Sequence, residues 1–187
     1  SEVKLINIID MKKTFFAIIL PLFLTISGSI FANEAVSVAT INIDQISKEA
    51  KVVKNIAKQI GKKRDQFQKL ISTSEKKLEK EQKKLESKKD ILSESALKKE
   101  QLAFFKKVEK LKNDASKKDK ILKKAYTSSI KKVNDIVGEI VNSIALEKGL
   151  SLVLPSSQVV YSVESIDITQ EVIKKLDKKV SKIKVKF

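Results

Sequence analysis

The 187-residue sequence contains no cysteine and no histidine. These two absences exclude a disulfide framework, a thiolate or imidazole metal site, and a Ser-His or Cys-His catalytic pair. Only four glycines and two prolines are present, which disfavours loop-rich enzymes and all-β sandwiches. Charged residues make up 33% of the chain and hydrophobic residues 42%, a balance that is typical of long, solvated helices around a modest core.

Signals for catalysis and cofactor binding are also missing. The sequence has no phosphate-binding loop of the G-x-x-x-x-G-K type, so nothing indicates the use of ATP. Lysines and carboxylates are so abundant that pairs four residues apart are expected from composition alone, and such pairs form surface ion pairs. We therefore expect no enzymatic activity, no cofactor and no metal.

The charge is strongly one-sided, with a formal net charge of +16. All but one of the 39 basic residues are lysines, the exception being Arg64. Such a surface attracts polyanions and anionic membranes. The lysine bias can also be inherited from the base composition of the coding genome, and the sequence does not separate these two origins.

The first 32 residues have the pattern of a targeting segment. Met11 is followed by two lysines, an apolar run over residues 15–26 and then small residues, which is the three-part pattern of a secretory signal peptide. We predict that residues 11–32 are this signal and that it is cleaved at its end, with cleavage after Ser29 as the alternative. Residues 1–10 are interpreted as an upstream extension. An uncleaved anchor is the competing interpretation, although the run is short for a membrane span.

A long helix is predicted after a short strand. Residues 36–43 alternate apolar and small or polar side chains, which indicates a half-buried strand, and Asp44 is a suitable N-cap. From Gln45 to about Leu92 apolar residues recur every seven positions, as in a coiled coil. They form two sets that belong to one seam: Ile46, Val53, Ile60, Phe67, and then Ile71, Leu78, Leu85, Leu92. In the heptads of the second set, the other seam position is polar or charged. The apolar surface of the seam therefore becomes narrower along the helix.

A second long helix is predicted to run back along the first. Residues 92–96 are a polar interruption, and Ser93 or Ser95 can cap the helix that follows. This helix extends to Lys148 and stops at Gly149. Its apolar residues are sparse at the start and dense near the end, so in a hairpin the dense ends of both helices meet. Residues 45–148 are therefore predicted to form an antiparallel arm with its tip near 92–96.

The remaining segments, 33–44 and 149–180, are predicted to form a small β-rich body. Strands are expected at 150–154 and 158–162, followed by an amphipathic helix with its apolar residues on one face. The fold class is thus α+β, with a helical-hairpin (coiled-coil) arm inserted into an oligomerisation body. So small a core is marginal by itself and leaves strand edges open. We therefore expect a homo-oligomer, most simply a trimer, that is held together by these body residues: Val38, Ile41, Ile43, Leu152, Leu154 and Val160.

Three of these features together resemble one known family. The signal peptide with the strand Val38-Ala-Thr-Ile-Asn-Ile43, the lysine-rich hairpin, and the closing run from Gly149-Leu-Ser-Leu-Val-Leu154 to Asp167-Ile-Thr169 are similar to the Skp (OmpH-like) periplasmic chaperones. The resemblance implies a trimer with a β-barrel body and three arms that enclose unfolded outer-membrane proteins. It also implies contact with anionic phospholipid or lipopolysaccharide. The sequence departs from this family in its lysine bias and in a basic tail over residues 181–187.

Candidate client-binding residues are these apolar side chains of the arm: Phe67, Leu97, Phe104, Phe105 and Leu111. The alternative is that such residues only pack the two helices together, and this is the stronger interpretation for Leu78 and Leu85. Phe104 and Phe105 are adjacent and cannot face the same partner. One of the two is therefore expected to face a client.

Basic clusters on the arm are candidates for anionic lipid. The clearest contains Lys117, Lys118, Lys120, Lys123 and Lys124. The alternative interpretation of this cluster is a solvated helix face whose charge is partly balanced by nearby carboxylates.

The tail 181–187 alternates apolar and basic residues and ends in Phe187. It is predicted to be frayed. The alternatives are that it adds an edge strand to the sheet or that it imitates the terminal strand of a client.

Two rival functions follow from the same sequence. Charge alone suggests a nucleic-acid-binding protein, but the single arginine and the lack of aromatics among the lysine clusters argue against it. A structural coiled-coil protein of the cell envelope is the second rival. It predicts a continuous, dense seam, whereas the seam here thins towards the tip. The preferred prediction is an ATP-independent periplasmic holdase for unfolded outer-membrane proteins.

Overall fold

The computed structural model describes residues 36–187, and the predicted extension 1–10 and signal peptide 11–32 lie outside them. The elements in chain order are β1 (Val38–Ile41), α1 (Ile43–Glu49), α2 (Lys51–Ser87), α3 (Glu94–Lys148), β2 (Leu152–Pro155) and α4 (Thr169–Lys179), with 3₁₀ turns at Ser156–Gln158 and Glu164–Ile166. Long helices with one small sheet confirm the α+β class and the inserted helical hairpin.

Helices α2 and α3 form an antiparallel hairpin. Lys107 Nζ lies 2.7 Å from a carboxylate oxygen of Glu81, and Lys88 Nζ lies 3.0 Å from one of Glu100. The residue numbers in both pairs add to the same value, which is the register of two helices running in opposite directions. Helix α3 has 55 residues and is therefore about 80 Å long at a rise of 1.5 Å per residue.

Fully buried side chains in the hairpin are confined to its base, as the apolar pattern predicts. The buried apolar residues of the two helices are Val52, Val53, Ile56 and Ile60 in α2, and Leu122, Ala125, Val133, Val137, Ile140 and Ile144 in α3. Between residues 61 and 121 no side chain is buried. The dense ends of both helices meet, and the outer part of the arm is held by partly exposed contacts.

The turn of the hairpin spans residues 88–93, so the prediction of a tip at 92–96 is wrong by several residues at its start. By its spacing Leu92 fits the seam as its last residue, but this residue lies within the turn. Because the seven-residue apolar spacing continues into the turn, it does not show where the helix ends. Ser93 is the N-cap of α3, as predicted, and its hydroxyl accepts a hydrogen bond from the Ala96 N–H at 3.4 Å.

The first helix is broken at Ala50, which the sequence pattern does not predict. Ala50 is fully buried and has the extended conformation, with φ −60° and ψ 131°. The freed N–H of Lys51 donates to Oδ1 of Asp177 at 2.8 Å. The cap of α1 is Asn42, whose side chain accepts from the Gln45 N–H at 2.9 Å, and the prediction of Asp44 as cap is wrong because Asp44 already lies in the first turn.

The sheet has two parallel strands. β1 pairs with β2 in the register Val38 to Leu152 and Ile41 to Pro155, and a parallel pair needs a long crossover, which here is the whole arm. The predicted first strand is shorter than expected, and Ile43 lies in α1. The predicted strand at 158–162 is wrong, because the chain after β2 enters a 3₁₀ turn and then has no regular structure until the next one.

The Asp167-Ile-Thr169 segment joins the last helix to β1. The Ile168 N–H donates to the Thr40 carbonyl at 3.0 Å, and the buried Thr169 hydroxyl accepts from the Asn42 N–H at 2.8 Å. Helix α4 then buries its predicted apolar face, including Val172 and Leu176. These two hydrogen bonds attach the start of α4 to β1 and to the residue that follows it.

Gly149 ends α3 in the left-handed conformation, with φ 61° and ψ 37°. The Leu150 N–H donates to the Ala145 carbonyl at 2.9 Å, which is the 6→1 bond of a Schellman cap. The predicted stop at this glycine is confirmed.

The tail 181–187 is not frayed, and that prediction is wrong. Val185 is buried in the same apolar cluster as the base of the hairpin, and its N–H donates to Oε1 of Gln59 at 3.1 Å. The alternation of apolar and basic residues gives the tail one side that can pack, which a purely charged tail would lack.

Candidate functional site

The outer part of the arm, residues 61–121, contains open grooves between α2 and α3. One of about 260 Å³ is bordered by Leu85 and Phe104, with Glu81, Lys88 and Glu100 among its charged walls. Apolar floors with charged rims offer contacts to an extended chain without fixing a single pose.

A second groove, of about 310 Å³, lies closer to the base of the arm and includes Leu78, Leu111, Ser74 and Asp114. Four of the predicted residues therefore lie between the helices, where they both pack the helices together and line the grooves: Leu78, Leu85, Phe104 and Leu111. Leu97 is half-buried in the first turn of α3.

Phe104 and Phe105 point in different directions, as their adjacency requires. Their ring centroids lie 6.2 Å apart at an interplanar angle of 61°, an edge-to-face arrangement. Phe104 is half-buried in the groove beside Leu85, whereas Phe105 is 63% exposed. Phe105 is therefore the member of the pair that is available to a partner.

Two further apolar residues extend the surface around Phe105 and were not among the sequence candidates. Leu102 is 55% exposed and Val108 is 40% exposed. They stand three residues before and after Phe105, so all three lie on neighbouring faces of α3. Sequence reasoning missed their exposure because apolar spacing alone does not show which side of α3 packs against α2. The three residues Leu102, Phe105 and Val108 are called the exposed stripe below.

Phe67 lies at the boundary between the packed base and the open arm. It packs against the buried cluster, and the ammonium groups of Lys63 and Lys118 lie 5.1 Å and 5.8 Å from its ring centroid. These are cation–π contacts. Phe67 is thus engaged from both helices, unlike Phe105.

The predicted lipid cluster is divided between two faces. Lys118 is turned to the ring of Phe67, and Lys123 pairs with Asp119 at 2.9 Å. Lys117, Lys120 and Lys124 are exposed and, at spacings of three and four, share one side of α3. These three lysines form the part of the cluster that can meet an anionic surface.

Ion pairs neutralise some of the arm's charge locally. Lys83 donates to Glu79 at 2.8 Å, one helical turn away. This hydrogen bond lowers the pKa of the Glu79 carboxyl and, with the same partner's charge, raises the pKa of Lys83. Both groups are exposed, so the pair contributes little to stability.

The predicted oligomer residues occupy different environments in the body. Ile41 is buried, and Val38 and Leu154 are half-buried. Ile43 and Leu152 are each close to half exposed, and Val160 is fully exposed. Val36, Tyr161 and Val163 are further exposed apolar residues of the body. A single protomer therefore exposes several apolar side chains of the body.

Two kinds of site are missing within residues 36–187. No group of three or more acidic residues is placed to hold a metal ion. None of the helices in this range combines the length and hydropathy needed to cross a membrane.

The fold and its surfaces define a protein with a long helical arm that carries exposed apolar and basic side chains. The family model of OmpH-like outer membrane proteins matches residues 37–176. The chain belongs to this OmpH-like family.

One relative and one solved structure are similar to this chain over most of its length. An uncharacterized protein of Aquifex aeolicus (strain VF5) is 35% identical over 168 residues, which is 90% of this chain and 98% of the relative. A crystal structure of an OmpH-like protein from Caulobacter crescentus CB15 matches with a TM-score of 0.74 and 16% identity. It covers 80% of this chain and 89% of the other. At that identity the match shows a shared fold.

Proposed function

We propose that this chain is an ATP-independent periplasmic holdase that binds unfolded outer-membrane proteins between helical arms and prevents their aggregation. Membership of the OmpH-like family supports a chaperone role. The single observation that carries the proposal is the exposed stripe on an arm whose outer part buries no side chain. Such a surface offers many weak contacts, and unfolded chains need no fixed pose.

The openness of the arm favours this function over a structural coiled coil. A structural coiled coil needs a continuous seam in which knobs fill holes along its length. Here the buried contacts stop at Ile60 on α2 and begin at Leu122 on α3. The net charge of +16 adds a long-range attraction for clients of net negative charge.

Export to the periplasm rests on the sequence pattern of residues 11–32, which lie outside the described part of the chain. Assembly into a homo-oligomer, most simply a trimer, is supported by the outer edge of β2, which has no neighbouring strand within residues 36–187, and by exposed Leu152 and Val160. Three arms in one assembly would surround a shared cavity. Sedimentation of the mature chain, alone and as Val160→Asp, tests this assembly: dissociation of the variant is expected, and a folded wild-type monomer at low micromolar concentration would refute it.

Contact with anionic phospholipid or lipopolysaccharide belongs to the same proposal. The exposed lysines Lys117, Lys120 and Lys124 support it. Binding to vesicles that contain an anionic phospholipid is expected to fall with added salt, because charges are screened. The triple replacement of these lysines by Gln should weaken binding, whereas replacing Lys118, which faces Phe67, should change it less.

The holdase activity is tested with an arm of reduced length. Ser74 and Asp114 border the same groove, so residues 75–113 can be replaced by a short turn that joins the two helices in register. The mature chain is expected to suppress aggregation of an unfolded outer-membrane β-barrel protein without ATP, and the shortened chain is expected to lose this effect. Circular dichroism and sedimentation must show that the body and its oligomer remain intact. Equal suppression by both chains would exclude the outer arm as the client-binding surface.

A further inference from the structure

The segment that follows α4 lies along the base of the arm. Burial in this segment alternates: Ile183 is half-buried and Val185 is 5% exposed, while the lysines at 182, 184 and 186 are exposed. A period of two is typical of an extended chain with one side packed. This extended segment does not pair with another strand. It packs against side chains on one face of α2.

Gln59 binds the backbone of this segment from both sides of Lys184. Its Nε2 donates to the Ile183 carbonyl at 2.7 Å, and its Oε1 accepts from the Val185 N–H at 3.1 Å. Asn55, one turn earlier, holds the same amide, since its Oδ1 accepts from Gln59 Nε2 at 2.7 Å. The Gln59 carboxamide thus supplies the donor and the acceptor that a neighbouring strand would supply. Because both hydrogen bonds are made to backbone atoms, this contact does not depend on the side chains of the bound segment.

Side-chain contacts complete the site without selecting a particular sequence. Val185 belongs to the apolar cluster that also contains Ile56 and Ile60. The Lys63 ammonium lies 5.5 Å from the ring centroid of Phe187 and 5.1 Å from that of Phe67. The site therefore offers an apolar position, a paired amide and a cation beside an aromatic ring.

The charge of the segment opposes its own binding. No ion pair within residues 36–187 involves Lys182, Lys184 or Lys186. The helix face beneath carries Lys63, and the chain as a whole has a net charge of +16. Like charges at this density weaken the contact. An extended segment with acidic residues at the same outward positions would meet attraction there.

We propose that the face of α2 formed by Asn55, Gln59 and Lys63 is a binding site for an extended polypeptide, and that residues 181–187 occupy it as a displaceable substitute. Its true ligand is a segment of an unfolded client in which apolar residues alternate with polar or acidic ones. This inference rests on the proposed holdase function and gives it a second contact surface at the base of the arm. Displacement would couple client entry to release of the tail.

Binding of a short labelled peptide tests the site directly. The probe is Ser-Glu-Ile-Glu-Val-Glu-Phe, which is the segment with its lysines changed to glutamate, and the control probe contains the same residues without the alternation. If the tail fills the site for nine-tenths of the time or more, its release raises the apparent affinity by about tenfold or more. Fluorescence anisotropy with the full mature chain and with Val185→Asp measures this change.

Two sets of variants decide whether the site is the one described. In the Val185→Asp background, Gln59→Leu is expected to abolish probe binding, while Gln68→Leu on another face of α2 leaves it unchanged. Replacing all three tail lysines by Glu keeps Val185 and is expected to reduce probe binding, because the tail then competes better. This second variant gives a result even if Val185→Asp disturbs the fold.

Several results would overturn the proposal. They are equal binding by the wild type and both tail variants, equal binding of the control probe, or full binding by Gln59→Leu. Aggregation suppression is measured separately on the same proteins. Suppression without tail-dependent probe binding would refute this site and leave the holdase function standing; tail-dependent probe binding without suppression would support the site and refute the holdase function.

Discussion

The backbone N–H of Lys51 donates a 2.8 Å hydrogen bond to Oδ1 of Asp177, across 126 residues of sequence. Lys51 is the first residue of α2, and Ala50 before it has no side chain that could cap the helix. The carboxylate on α4 therefore performs the role of an N-cap. It also favours this end of the helix electrostatically, since helix N-termini attract negative charge.

Asp177→Ala is expected to lower the free energy of unfolding by about 1 kcal/mol, the usual cost of losing an N-cap. Asp177→Asn keeps an acceptor oxygen and is expected to cost less than half as much. Chemical denaturation of both variants measures the difference. Equal losses would show that the charge, and not the hydrogen bond, supplies the stabilisation.

The three glycines of the described chain are expected to respond differently to alanine. Gly61 and Gly138 lie inside helices, and an added Cβ would meet nothing within 4 Å. Each alanine should stabilise the protein by about 0.5 to 1 kcal/mol. Gly149→Ala should destabilise it by about 1 kcal/mol, because its φ of 61° is unfavourable for a residue with a Cβ. Thermal unfolding checks the opposite signs, and a loss at Gly61 would indicate a partner packed there in the assembly.

Phe105→Ser is expected to reduce aggregation suppression while changing the free energy of unfolding by less than about 0.5 kcal/mol, as is usual for exposed positions. Its neighbour Phe104 is the matched control, because it is half-buried between the helices. Phe104→Ser should lower the stability of the arm. Client aggregation assays and unfolding curves on both variants separate the two effects. Unchanged suppression by Phe105→Ser would remove the exposed stripe from the client-binding surface.

The docking of α4 on the arm is expected to weaken in acid. A hydrogen bond from Lys175 at 2.6 Å, then one from Ser143 at 2.8 Å, lowers the pKa of the Glu147 carboxyl below its ordinary value of 4.5. A lowered folded-state pKa stabilises the protein above the unfolded pKa, and this contribution is lost as the pH falls through the folded value.

The difference in stability between the wild type and Glu147→Gln should therefore be constant near neutral pH and shrink below about pH 4.5. Denaturation at a series of pH values measures it. A difference that stayed the same down to pH 2 would show that the ion pair is not responsible. The side chain is exposed, so a small effect is expected.

The sequence determined the arm. The seven-residue repeat, its thinning beyond Phe67 and the glycine at 149 are local signals, and each acts within one or two helical turns. The exposed stripe also lies in the sequence as residues three apart, but its exposure depends on which face α3 turns to α2. The apolar pattern around the tip was ambiguous, since Leu92 fits both a seam and a turn.

Tertiary structure alone decided the break at Ala50, the parallel pairing of β1 with β2, and the docking of the tail on Gln59. Each depends on hydrogen bonds between residues more than 100 positions apart, such as Lys51 to Asp177 and Gln59 to Val185. No periodicity encodes such a partner, because either group could equally be satisfied by water or by a neighbour in sequence. The local sequence pattern determined the helices. The tertiary contacts determined the break at Ala50 and the position of the tail against α2.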